Sequence, residues 1–110
     1  MKLIKQLFDT KKAIQSLNLS GRAILFEEAK ALEEALKKNT TLTKLKLRNS
    51  GFCNIYTIWL AESLKINTTL IKLDLSGNRI DYQGIRLLAE TLKTNTSLTE
   101  LGLEYNEIGD

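Results

Sequence analysis

Histidine is absent from this chain, cysteine occurs once, and aromatic residues make up 6% of its 110 positions. Without histidine the usual general base and the commonest metal ligand are missing. The single Cys53 therefore has no imidazole to activate it as a nucleophile, and zinc would need clustered Cys or His that are not there. Nor can Cys53 form an internal disulfide, which points to a reducing, cytoplasmic setting. There is no glycine-rich phosphate loop. Apolar stretches run a few residues before Lys, Glu or Asn interrupts them, far short of a membrane span. The opening MKLIKQLFDTKK sets apolar pairs between charges, unlike a signal-peptide core. The net charge is only +3, with no long basic block and no aromatics interleaved among the cations, which argues against a nucleic-acid surface. These absences lead us to expect a protein that is not an enzyme, carries no cofactor or metal, and has neither nucleic acid nor membrane as a partner.

What the chain does have is a period. Residues 14–24 read IQSLNLSGRAI, 42–52 LTKLKLRNSGF, 70–80 LIKLDLSGNRI and 98–108 LTELGLEYNEI, a spacing of 28 residues. Stacked in columns, the first holds Ile14, Leu42, Leu70 and Leu98, the fourth Leu17, Leu45, Leu73 and Leu101, and the sixth Leu19, Leu47, Leu75 and Leu103. A fixed period of a few tens of residues marks a solenoid, in which no unit buries its apolar face alone.

Within each unit the apolar spacing changes. Leu70, Leu73 and Leu75 suit a short strand with alternate side chains buried. Helical spacing follows: Leu25, Ala29, Leu32 and Leu36 in the first unit, and Ile85, Leu88, Ala89 and Leu92 in the third. Asn54 and Asp81 stand where N-caps are expected, and Gly21, Gly51 and Gly77 recur near the strand ends. Each helix then gives way to a polar corner beginning at Asn39, Asn67 or Asn95. Strand, turn, helix and strand in repetition give parallel strands joined by right-handed crossovers. Strands stack about 4.8 Å apart and helices about 8–10 Å, so the stack bends. The expected fold is an α/β right-handed solenoid with parallel strands on the concave face and helices on the convex face.

The pattern LxxLxLxxNxI, a helix containing LAExLK and a corner NTxL resembles the leucine-rich repeat of the ribonuclease-inhibitor type. The repeat is also similar to those of NOD-like receptors and of Ran GTPase-activating protein. On this basis residues 1–13 are expected to form a degenerate N-terminal capping helix with Ile4 and Phe8 on its core side. Residues 14–110 would be the repeat domain, with units 14–41, 42–69 and 70–97 and a partial unit 98–110. In that family the ninth column is normally Asn, whose buried amide forms a ladder between turns. Here it is Arg22, Ser50, Asn78 and Asn106. Ser50 can do part of that work, whereas Arg22 cannot do it buried, so the first unit reads as a terminal repeat. Leu98, Leu101, Leu103 and Ile108 are expected to lie uncovered on their outer side. That outcome fits a chain cut from a longer solenoid, or an end covered by a partner, including end-to-end self-association.

The resemblance implies a non-enzymatic module that binds a protein partner through its concave strand face. Columns three, five and seven place Lys44, Lys46, Arg48 and Lys72 together in the middle of that face, with Asp74, Glu100 and Glu104 toward its C-terminal end. Such graded charge can steer a partner and set its register, although solvated strand positions must be polar in any case and charges discourage edge association. The second unit differs from the others. Ile58 stands where they have Lys30 and Arg86, Ile66 where they have Lys38 and Thr94, and Trp59 where they have Ala31 and Leu87. Either Ile58, Trp59 and Ile66 form a secondary apolar patch on the convex side, or Trp59 and Ile55 fill space left by small neighbours such as Ala31 and Thr57. Tyr105 is a candidate aromatic anchor, and Cys53 is read as a half-buried filler. Asn18, Asn39, Asn67 and Asn95 match glycosylation acceptors, which carry little weight without a secretory signal. Two alternative roles stay open: a regulator of a small GTPase, or a terminal segment of a longer receptor- or effector-like repeat protein with no partner of its own.

Overall fold

The computed structural model describes residues 2–107. A short helix α1 (Lys2–Lys5) runs into a 3₁₀ turn over Gln6–Phe8. Three strand–helix units follow: β1 (Ser16–Asn18) with α2 (Phe26–Lys38), β2 (Lys44–Lys46) with α3 (Asn54–Leu64), and β3 (Lys72–Asp74) with α4 (Tyr82–Leu92). A last strand, β4 (Glu100–Gly102), completes the described elements. Ile108 and Asp110, on which the expected end of the fourth unit rests, lie outside the described residues.

The strands form one parallel sheet in chain order, and its register equals the sequence period: Ser16 lies beside Lys44, Lys44 beside Lys72 and Lys72 beside Glu100. Each unit thus stacks on its sequence neighbour. The helices form a second layer in which α3 packs between α2 and α4, and α1 packs on α2. The leucine columns lie between the two layers. Leu42, Leu45, Leu47, Leu70, Leu73 and Leu75 are fully buried, each contributing about 1.5–3 kcal/mol of apolar burial. Toward β4 the cover thins. Leu98 is still buried, contrary to expectation, while Leu101 and Leu103 are partly exposed.

Two asparagine ladders tie the units together. At the end of the strands, Asn78 Nδ2 donates to the carbonyls of Leu47 and Leu75, both at 2.8 Å, and its Oδ1 accepts from the N–H groups of Ser50 (2.9 Å) and Phe52 (3.0 Å). Asn106 repeats the pattern one unit on, with Nδ2 on Leu75 O at 2.9 Å and Oδ1 accepting from Ile80 N–H at 3.1 Å. Ser50 replaces only one of these links, its hydroxyl donating to Leu19 O at 3.1 Å, and Arg22 stays exposed. The second ladder runs through the corners. Asn39, Asn67 and Asn95 each accept backbone N–H bonds from their own corner, and each donates to a carbonyl of the preceding unit: Leu7, Leu36 and Leu64 respectively. Burial of polar backbone at each bend is tolerable because these carboxamides satisfy it.

The eighth column requires a left-handed backbone. Gly21, Asn49, Gly77 and Tyr105 have φ of 78°, 51°, 74° and 57°. At Gly77 a Cβ would also run into the Asn49 carboxamide, so glycine is needed there for conformation and for space.

Some expectations fail, for local reasons. Phe8 is exposed and Leu7 is buried in its place, because the backbone tightens to 3₁₀ at Gln6 and rotates the sequence relative to α-helical spacing. Leu25 is exposed because it precedes α2 in an extended conformation, so helical spacing does not reach it. Ala89 is exposed, although its equivalent one unit earlier, Ala61, is fully buried; among the described residues α4 has a helix on one side only. Asn54 is the first helical residue of α3 rather than its cap, which is Cys53.

Candidate functional site

β1, β2 and β3 each alternate an outward, a buried and an outward residue, with the leucine in the middle. The outward residues form two rows across the sheet: Ser16, Lys44, Lys72 and Glu100, and then Asn18, Lys46, Asp74 and Gly102. Between the rows of β2, β3 and β4 lies a shallow groove of about 290 Å³, floored by Leu45, Leu73 and Leu101.

The four basic residues expected to act together are divided by their partners. Arg48 Nη1 lies 3.0 Å from Asp74 Oδ2, and Lys72 Nζ lies 3.5 Å from Glu100 Oε1, both pairs bridging adjacent units. Lys44 and Lys46 make no ion pair among the described residues, and both are exposed. The uncompensated positive charge of the face therefore sits on β2. Glu104 is exposed at the far end.

Asp74 also has a structural task. Its Oδ1 accepts the Ser76 N–H at 3.0 Å, as Asn18 Oδ1 accepts the Ser20 N–H at 2.9 Å two units earlier. Burial alone would raise the Asp74 carboxyl, but the Ser76 N–H and the Arg48 guanidinium outweigh it and hold the pKa below its ordinary value. Gly102 makes this arrangement fit, since a Cβ there would lie 2.7 Å from Asp74 Oδ1. The absent side chain of Gly102 thus leaves room for the ion pair.

On the helical side, Ile58 and Ile66 are 43% and 56% exposed. Trp59 is half-buried. Its ring meets Phe26 edge-on at 5.3 Å and stacks on Tyr56 at 5.6 Å, with Lys30 Nζ 4.9 Å above it. Trp59 thus packs on the core beside Ala31. Ile55 does not fill space there, because it is 58% exposed: it sits one residue inside the start of α3 and turns outward. Asn54 and Asp81 join the starts of α3 and α4, with Asn54 Nδ2 donating to Asp81 Oδ1 at 2.6 Å. That bond and the Gln83 N–H, which Asp81 accepts as cap of α4, place the Asp81 carboxyl below its usual range. Tyr105 is 80% exposed at its left-handed position.

The Leucine Rich repeat family model matches residues 67–89 and 94–110. The fold is a leucine-rich repeat solenoid. Among solved structures, the chain is similar to leiomodin-1 actin-binding site 2, with a TM-score of 0.88 and 25% identity over 99% of the present chain and 65% of that one. It is also similar to the tropomodulin C-terminal domain of Caenorhabditis elegans, with a TM-score of 0.84 and 17% identity over 96% and 64% of the two chains. The chain thus spans just under two thirds of either structure. No curated protein matches it.

The leucine-rich repeat geometry also bears on the glycosylation motifs. The carboxamides of Asn39, Asn67 and Asn95 are committed to the corner ladder, and Asn67 is buried. In the folded domain these three side chains are structural. Among the described residues no group of three His, Cys, Asp or Glu is placed to hold a metal ion, and no helix is long and apolar enough to cross a membrane.

Proposed function

We propose that this leucine-rich repeat domain is a non-enzymatic protein-binding module whose strand face recognises an acidic segment of its partner. The observation that carries the proposal is the pair of unneutralised cations, Lys44 and Lys46, at the middle of the sheet, beside Arg48 and Lys72 whose charge is already met from within. A rigid stack of bonded units offers those two ammonium groups at little ordering cost. The 11–13-residue helices support a ribonuclease-inhibitor-like repeat subtype, and the lone Cys53 supports a cytoplasmic setting.

Actin is the first partner to test, on the strength of the likeness to the leiomodin-1 actin-binding site 2 structure. The experiment measures binding of the purified domain to actin monomers by fluorescence anisotropy and to filaments by co-sedimentation. Lys44→Glu/Lys46→Glu is expected to weaken binding about ten-fold or more, and Arg48→Gln/Lys72→Gln much less. Undiminished binding by the first variant would refute the strand-face reading. Absence of binding by the unaltered domain would remove actin as the partner.

A further inference from the structure

A surface helix of a folded domain normally keeps a polar outer face. α2 and α4 do so, but α3, NIYTIWLAESL, is apolar on both sides. Its inner face buries Thr57, Leu60, Ala61, Ser63 and Leu64. Its outer face shows Ile55 and Ile58, continued past the helix end by Ile66, all of them exposed. Only Glu62 interrupts this stripe, and on helical spacing the four residues share one side of α3. A lone exposed isoleucine needs no account, but an outward stripe confined to one unit of a repeat does.

The neighbouring units surround the stripe with ordered charge. At the level of Ile58 the flanking helices carry Lys30 and Arg86, and at the level of Glu62 they carry Glu34 and Glu90. One turn further come Lys37, Lys65 and Lys93. Across three helices the convex face is therefore banded basic, acidic, basic, with the apolar stripe running through all three bands. Glu62 and Glu90 pair with Lys65 and Lys93 at 3.2 Å, but ion pairs this exposed are weak and exchange readily.

We propose that this banded stripe is a second protein-docking site, separate from the strand face, and that its occupant is an amphipathic helix of a partner. The chemistry of that helix follows from the bands. Two aliphatic residues about 12 Å apart, eight positions along a helix, would cover Ile58 and Ile66. An Arg or Lys midway between them would meet the Glu34, Glu62 and Glu90 band, and acidic residues beside each aliphatic would meet the basic bands. A second copy of this chain is a poor occupant. Antiparallel pairing about Glu62 sets carboxylates on carboxylates and lysines on Lys30 and Arg86, a like-charge juxtaposition that disfavours association.

Trp59 is the only tryptophan and lies beside the stripe, so its emission reports occupancy. The probe is a tryptophan-free helical peptide of roughly 18 residues, with two leucines eight apart, arginine midway and glutamates beside each leucine. The control peptide has glutamate midway and lysines beside the leucines. We expect a saturable change in Trp59 emission with the probe and about ten-fold weaker binding of the control. Glu62→Lys should reverse that preference. Ile58→Lys and Ile66→Lys should each abolish binding while leaving far-UV circular dichroism and the thermal midpoint unchanged. Equal binding of both peptides, or binding of neither up to their solubility limit, overturns the proposal. A concentration-dependent dimer lost in Ile58→Lys would overturn it in favour of a second copy, and tighter binding to phosphatidylserine vesicles than to the probe would do so in favour of a membrane.

Discussion

Replacing Asn78 with alanine gives the sharpest test of how the units are joined. The carboxamide is buried and serves four backbone groups at once, donating to Leu47 O and Leu75 O and accepting from Ser50 and Phe52 N–H. Leu75 O keeps the Asn106 amide, so the truncation strands three groups rather than four. Each buried backbone group left without a partner costs about 1–3 kcal/mol. A water entering the vacated space would recover part of that, and a loss of about 3–4 kcal/mol is expected. Set against an ordinary domain stability of about 5–15 kcal/mol, this is a large fraction. The assay is urea denaturation followed by far-UV circular dichroism, with Ser50→Ala as internal comparison. Ser50 contributes one inter-unit bond through its hydroxyl, so its removal should cost only about 1 kcal/mol. A loss below about 1 kcal/mol for Asn78→Ala, or equal losses for the two variants, would refute the claim that the buried amide joins two adjacent turns of backbone.

Three further outcomes are expected. Gly77→Ala should destabilise by about 1–2 kcal/mol from the left-handed backbone alone, and by more because the new Cβ displaces the Asn49 side chain; thermal denaturation reads this, and an unchanged midpoint would contradict it. Gly102→Ala should push the Asp74 carboxylate off its seat and release Arg48, raising the Asp74 pKa toward its ordinary value as followed by carbon-detected NMR titration. Asp74 and Asp81 both have carboxyls held below their usual pKa in the folded chain. Their contribution to stability is therefore complete above the unfolded value of about 3.9 and is lost as pH falls through the depressed folded values. Asp81→Asn should flatten the acid limb of the stability–pH curve; an unchanged limb would show that Asp81 is not part of it.

The repeat spacing carried most of the fold, because a leucine column shared by four segments has one economical solution: parallel strands in register. The offset from Ser16 to Lys44 to Lys72 to Glu100 in the sheet is the sequence period itself. Local phase was harder to read. Helical spacing says which residues share a face and not where the helix begins, so it misplaces Leu25 and Asn54 relative to the first turn and exchanges Phe8 with Leu7. The columns assign seven charged residues to one face, but pairing depends on side-chain reach between residues 26 or 28 apart in sequence. Arg48–Asp74 and Lys72–Glu100 were therefore invisible as ion pairs, and with them the isolation of Lys44 and Lys46. The second ladder had a visible signal in the recurrent Asn39, Asn67 and Asn95, which reads as turn chemistry until the carbonyl of the preceding unit is seen to complete it.

The corner asparagines also give the stack a direction. Asn39, Asn67 and Asn95 accept bonds within their own corner, but each donates backward, to Leu7, Leu36 and Leu64. The ends of the first 3₁₀ turn, of α2 and of α3 are thus each closed by a residue that comes about 30 positions later. During synthesis a unit leaves the ribosome with its last carbonyls open and is completed only when its successor arrives. A truncation at any corner would leave the unit before it unfinished, whichever residues that unit contains.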